Sequence, residues 1–296
     1  MSDQLKGLLI TMMGVLFVVP DSLFIRLIEV PPLEISFWRG LSTGLLVLVY
    51  VLLSTGARSV GAALRGGPYA YVYLVAMSVT GVLFTLAVSH TSVANVVFII
   101  ASMPVFAALL SFVWLGERMS RRMMLTMIAV FIGLGVITYG SGETHGASLK
   151  GDLLAVGVSF VFAIALTAAR RVRSVSMVPM LPVAYLVSAL CLWPFVQPLQ
   201  LGAGQIYLIG LHGVFIAISS IGLALGPRYI PSAEVALLIL LESVLAPLLV
   251  WFALGEDPGG YALVGGAIVI GALALSNVSV LLRKRPKAAP IGRGAP

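Results

Sequence analysis

The feature that most constrains this chain is a succession of apolar runs, each about as long as a helix that crosses a lipid hydrocarbon layer. Ten can be drawn, at about 7–28, 33–54, 68–89, 92–115, 121–140, 149–170, 178–197, 204–226, 232–254 and 260–282. Pro31-Pro32, Gly66-Gly67-Pro68, Gly140-Ser141-Gly142 and Asp257-Pro258-Gly259 separate some of them, and such residues do not readily continue a helix. The runs are too long for strands and show no period-two alternation. Hydrophobic residues make up 60% of the chain and charged residues 10%, against about a quarter charged in a soluble domain. That surplus of apolar surface calls for lipid as the solvent. The expectation is an all-α integral membrane protein of ten transmembrane helices.

Several function classes fall away at once. Cys191 is the one cysteine, which excludes a disulfide framework or a Cys-based metal site within one chain. The net charge is +7, but its basic residues sit in loops and the tail, where they suit cytoplasmic segments and anionic lipid. No basic-aromatic stripe suggests nucleic acid. The first apolar run is too long for a signal peptide and reads as the first transmembrane helix. His90, His145 and His212 are far apart, and H-E-x-x-H, P-loop and G-x-S-x-G patterns are missing. The chain is therefore expected to be no enzyme, to hold no metal or cofactor, and to lack an ATP drive of its own. Orientation follows from the basic residues. With the N-terminus in the cytoplasm, 15 of the 18 Lys and Arg face that side, and only Arg26, Arg39 and Lys150 lie opposite. The positive-inside rule then places both termini in the cytoplasm.

The chain also repeats itself. His90–Arg118 aligns with Tyr229–Asp257 at a constant offset of 139, which superposes Ala94 on Ala233 and Gly116-Glu117 on Gly255-Glu256. Gly7 and Arg26 match Gly151 and Arg170 at an offset of 144. The reading is a first five-helix repeat over 1–142, a second over 149–283, and a basic cytoplasmic tail at 284–296, expected to be disordered. Repeats with an odd number of crossings insert in opposite senses, and inverted repeats mark transporters that alternate access about a midplane site.

Both repeats carry an apolar segment ending in Leu-Gly-Glu (Leu115–Glu117, Leu254–Glu256), with a proline inside it (Pro104, Pro247). Phe37-Trp38-Arg39 opens the second helix. With the 5+5 layout, these features resemble the EamA type of the drug/metabolite transporter superfamily, over about Leu8 to Leu282. The resemblance implies export of amino acids, nucleosides or other metabolites from a bacterial cytoplasm and does not choose among them. One departure is visible: Pro104 aligns with Ser243, four residues before Pro247, so the kink in the second repeat is expected at a different depth.

Ionisable groups within the membrane default to functional hypotheses. Glu242 lies ten residues into the ninth segment, roughly 15 Å deep, at the midplane. It is a candidate proton-coupling or amine-binding carboxylate, or else a protonated or paired group joining helices. Asp21 follows Pro20, where a broken helix could line a cavity, or it caps the following half-helix. Arg39 and Asp21 come out at similar depths, roughly 9 and 10 Å, so the two can meet: as a static salt bridge, as a pair that opens and closes as an outer gate, or with Arg39 attracting a substrate carboxylate. His212 lies at a similar depth, as an interhelical hydrogen bonder or a proton relay. Asn95 aligns with Glu234; the two are expected at the outer and cytoplasmic mouths, as lining groups or solvated helix ends. Trp38 and Phe98 are the aromatics placed near a cavity. Glu117 and Glu256 read as structural, holding loop backbone or neighbouring arginines. Gly40-x3-Gly44 and Gly222-x3-Gly226 read as close-packing faces within the monomer.

The reading is an inner-membrane secondary transporter exporting a small molecule by alternating access, with protons as the first choice of coupling ion. The competing classes are a membrane-embedded lipid-modifying enzyme, which needs a clustered nucleophile or metal site, and a non-transporting scaffold, which needs no polar cavity. Substrate identity and oligomeric state are not legible.

Overall fold

A computed structural model describes residues 3–116, 120–140, 146–172, 176–197, 202–226, 229–230 and 232–283. The Glu117 and Arg118 turn, His145, the Glu234 side chain and the 284–296 tail lie outside the described residues. The described chain is all-α: α1 (Asp3–Val18), α2 (Asp21–Leu27), α3 (Pro32–Ser54), α4 (Ala57–Leu64), α5 (Pro68–His90), α6 (Val93–Ile100), α7 (Met103–Leu115), α8 (Arg121–Gly140), α9 (Leu149–Arg171), α10 (Met180–Leu192), α11 (Ala203–Leu225), α12 (Ser232–Leu254) and α13 (Gly260–Arg283).

Among the described residues, eight helical segments are long and apolar enough to cross a membrane. The seventh expected span falls short of that length, as an apolar helix over Met180–Phe195, whereas the ninth keeps 23 residues as α12. The seventh is short for a clear reason. Its helix starts only after Pro179 and gives way to a 3₁₀ turn at Trp193–Phe195, where Pro194 cannot extend the ladder. The eight-residue α4, in the turn between α3 and α5, was not foreseen.

Two spans are broken, both in the first half. The first divides at Val19-Pro20, and the fourth divides at Ala101-Ser102 with Pro104 in the opening turn of α7. Their counterparts α9 and α12 run through unbroken, α12 with Pro247 inside it. The alignment of Pro104 with Ser243 is therefore a difference in kind: one proline opens a new helix and the other sits within a continuous one.

Contacts along the helices fix their relative sense. On α1, α2 and α11, the partners are Thr11 with Gly226, Gly14 with Gly222, Phe17 with Phe215 and Asp21 with His212. One number rises as the other falls, so the helices are antiparallel. The same holds for α5 on α9 (Leu83 with Gly157, Thr91 with Gly151). It holds for α3 on α10 (Phe37 with Trp193, Gly44 with Leu186) and for α8 on α13 (Arg122 with Ser276, Gly133 with Gly265). The last two pairs join equivalent segments of the two repeats, so those segments run in opposite senses. Packing of α5 on α9 has its counterpart in α11 on α1, the third segment of one repeat lying on the first of the other.

Small residues allow these approaches. A Cβ on Gly222 would lie 2.9 Å from the Gly14 Cα, and one on Gly40 would lie 2.9 Å from the Tyr185 carbonyl oxygen. The Gly40/Gly44 and Gly222/Gly226 faces thus pack α3 on α10 and α11 on α1 within one chain.

Candidate functional site

The helix break at Pro20 sets Asp21 as the first residue of α2. All of its side-chain hydrogen bonds run to other helices. Arg39 of α3 donates twice, Nε to Oδ1 at 3.1 Å and Nη2 to Oδ2 at 2.6 Å. His212 Nε2 of α11 shares a hydrogen bond with Oδ1 at 2.6 Å. Asp21 is 2% exposed, Arg39 9% and His212 1%, so this is a buried charge cluster joining three spans. The fork of a guanidinium suits two-point contact with a carboxylate. Aromatic rings close the cluster: Phe24 stacks on His212 at 5.3 Å, and the Arg39 guanidinium lies 5.7 Å from the Phe84 ring centroid.

Glu242 lies at the middle of α12. It makes no hydrogen bond among the described residues, and it stands within electrostatic reach of both Asp21 and Arg39. Its side chain is half-buried. Tyr185 of α10 also acts on Arg39 electrostatically, and its hydroxyl bonds the Ser220 hydroxyl of α11 at 2.9 Å. The hydroxyls of Ser22 and Thr43 and the Trp38 indole nitrogen are buried without a partner among the described residues. Unspent polar capacity thus gathers on the two helices that supply Asp21 and Arg39.

A second polar cluster occupies the end of the bundle where α2 stops and α6 begins. Glu256, in the turn after α12, receives Arg26 Nε at 2.9 Å, Arg26 Nη2 at 3.2 Å and the Val93 backbone N–H at 2.7 Å. Arg26 Nη2 also donates to the Thr91 carbonyl at 2.8 Å. Thr91 Oγ1 donates to Asp152 Oδ1 at 2.8 Å, and Asn95 Nδ2 donates to the same oxygen at 3.0 Å. The Leu-Gly-Glu turn of the second repeat therefore clamps α2 and the start of α6 in the first. Negative charge at the opening of a helix is favourable. Glu256→Gln, isosteric but uncharged, is expected to weaken this clamp by about 1 kcal/mol, because the ion pair is partly exposed and screened. A matched pair of thermal inactivation curves for the solubilised protein checks it.

Residues 5–139 and 149–278 each match the EamA-like transporter family. The chain belongs to that family. A relative named as a probable terminal-alkyne amino-acid exporter, from Streptantibioticus cattleyicolor, is 29% identical over 228 residues, 72% of this chain and 74% of that one. A solved crystal structure, 19% identical, superposes with a TM-score of 0.65 over 95% of this chain and 98% of the other, a likeness of fold. This EamA-like protein is thus a multi-pass membrane transporter of small metabolites, and the family points away from an enzyme.

Within this EamA-like transporter, Asp21, Arg39 and His212 come together, with Glu242 facing the first two. Asn95 stands apart from them. It is buried at 1% and turned onto Asp152 instead of lining a mouth or reaching solvent. Phe98 is buried with its ring against Gly266 of α13, in helix-to-helix packing. Trp38 packs edge-on against Phe37. Glu256 holds the backbone N–H of Val93 at the start of α6, not its own loop, and its arginine is Arg26, 230 residues away. Asp152, Tyr185, Ser220 and Gly81 escaped the sequence reading. An acidic residue four positions after Ser148 reads as ordinary first-turn chemistry, and a tyrosine in an apolar run carries no depth signal.

Proposed function

We propose that this EamA-like transporter is a proton-coupled exporter of the bacterial inner membrane. It crosses ten times with both termini in the cytoplasm and works by alternating access between inverted repeats. The observation that carries the reading is Glu242: a half-buried carboxylate without a hydrogen-bond partner among the described residues, at mid-helix, within electrostatic reach of a buried ion pair. One carboxylate that takes either a proton or a substrate ammonium couples the two flows by exclusion. Antiparallel packing of equivalent helices supports the inverted arrangement, and the excess of basic residues on the N-terminal side supports the orientation. The α2–α3 end is then the outer one, closed by the Arg26–Glu256 clamp. Amino acids enter as the substrate class through the exporter relative.

Proteoliposomes preloaded with labelled amino acids test this. Acidifying the outside should drive efflux, and each pH unit is worth about 1.4 kcal/mol, or about tenfold in the substrate ratio for one proton exchanged. Efflux indifferent to the gradient removes the coupling. Access is tested separately with a cysteine at position 242, after the exposed Cys191 is replaced by serine. Alternating access predicts labelling from either side in turn. Labelling from one side alone under all conditions contradicts it.

A further inference from the structure

Arg39 has more to offer than its bond to Asp21. Its Nε and Nη2 are spent on that carboxylate, while Nη1 has no hydrogen-bond partner among the described residues and is not sealed off. Gly81 of α5 shows what lies beside it. Apart from its chain neighbours and the backbone of its own helix, the one heavy atom of a described residue within 4 Å of a Cβ built on Gly81 is Arg39 Nη1, at 3.1 Å. Glu242 approaches from α12 with a half-buried side chain. A fixed cation donor and an unpartnered, half-buried anion thus lie within electrostatic reach of each other.

We propose that Arg39 Nη1 and the Glu242 carboxylate are the two ends of a recognition site for a zwitterionic α-amino acid, Arg39 taking the carboxylate and Glu242 the ammonium. This rests on the export reading above and assigns its specificity. Asp21 and His212 are positioning residues: they lock the guanidinium fork so that one face of it stays free for the ligand. Gly81 is a specificity-determining residue, because any side chain there would compete with the ligand carboxylate for Nη1.

Binding to the full-length protein in lipid nanodiscs tests the assignment, read as thermal stabilisation by each of the common L-amino acids. For any that binds, the matched amine lacking the carboxylate and the matched acid lacking the ammonium are titrated alongside; for phenylalanine these are phenethylamine and 3-phenylpropionate. Each analogue should bind roughly tenfold or more weakly, since each leaves one charged hydrogen-bonding group without a partner. Gly81→Ala keeps the ion pair and favours helix. It should weaken the amino acid severalfold and leave the amine unchanged. Glu242→Gln should weaken amino acid and amine and spare the acid. Failure of every amino acid to bind, or equal loss of amino acid and amine in Gly81→Ala, overturns the proposal. If pH-driven efflux of another metabolite persists alongside that failure, the export reading stands and the zwitterion site alone is lost.

Discussion

Arg39→Gln is expected to be far less stable than the wild-type protein, while Asp21→Asn/Arg39→Gln recovers most of the loss. The single substitution strands a carboxylate that is 2% exposed and removes both of its guanidinium bonds. Removing one partner of a buried pair costs about 3–5 kcal/mol, whereas removing both can be nearly neutral. His212 continues to bond Asp21 Oδ1, so the observed loss should fall toward the lower end. The double variant removes both charges together, so no buried carboxylate is left facing a missing cation. Inactivation half-lives of the solubilised protein at a fixed temperature give the comparison, and they suit a membrane protein that unfolds irreversibly. The four variants of the cycle isolate the pair energy. A single variant as long-lived as the wild type, or strictly additive losses, would show that the pair does not hold the bundle together.

Much of this architecture was written in one dimension, for physical reasons. Lipid admits few backbone solutions, so apolar runs of spanning length translate almost directly into helices. A rise of 1.5 Å per residue converts position into depth, which is why Asp21, Arg39 and His212 could be placed at similar levels before any contact was known. Depth says nothing about azimuth. Asn95, expected at the outer mouth, faces Asp152 in the protein interior. Phe98 likewise lies against Gly266, because the side on which a helix meets its neighbours depends on packing between distant segments. The Leu-Gly-Glu turns were legible as structural, but not what Glu256 grips, since Arg26 and Val93 belong to the opposite repeat. The shortening of α10 shows a different limit: its apolar composition continues past the point where Pro194 stops the helix.

Glu242→Gln should abolish proton-driven efflux while leaving the fold intact. The side chain makes no hydrogen bond among the described residues, and glutamine nearly matches its volume, so little packing or pairing is lost. What disappears is the ability to exchange a proton for a cationic group. Energy transfer between the two flows depends on that exchange, so a gradient that moves the wild-type ratio by about tenfold per pH unit should move the variant's hardly at all. Glu242→Asp, which keeps the charge but withdraws it by one methylene, should retain coupling at a reduced rate. The charge-keeping variant therefore separates chemistry from shape. Preloaded proteoliposomes measured across a series of outside pH values provide the readout, with the protein's thermal half-life measured in parallel. If Glu242→Gln transports at the wild-type rate with the same dependence on the gradient, the proton travels elsewhere. Asp21 would then be the group to examine, as the other buried carboxylate within reach of Arg39.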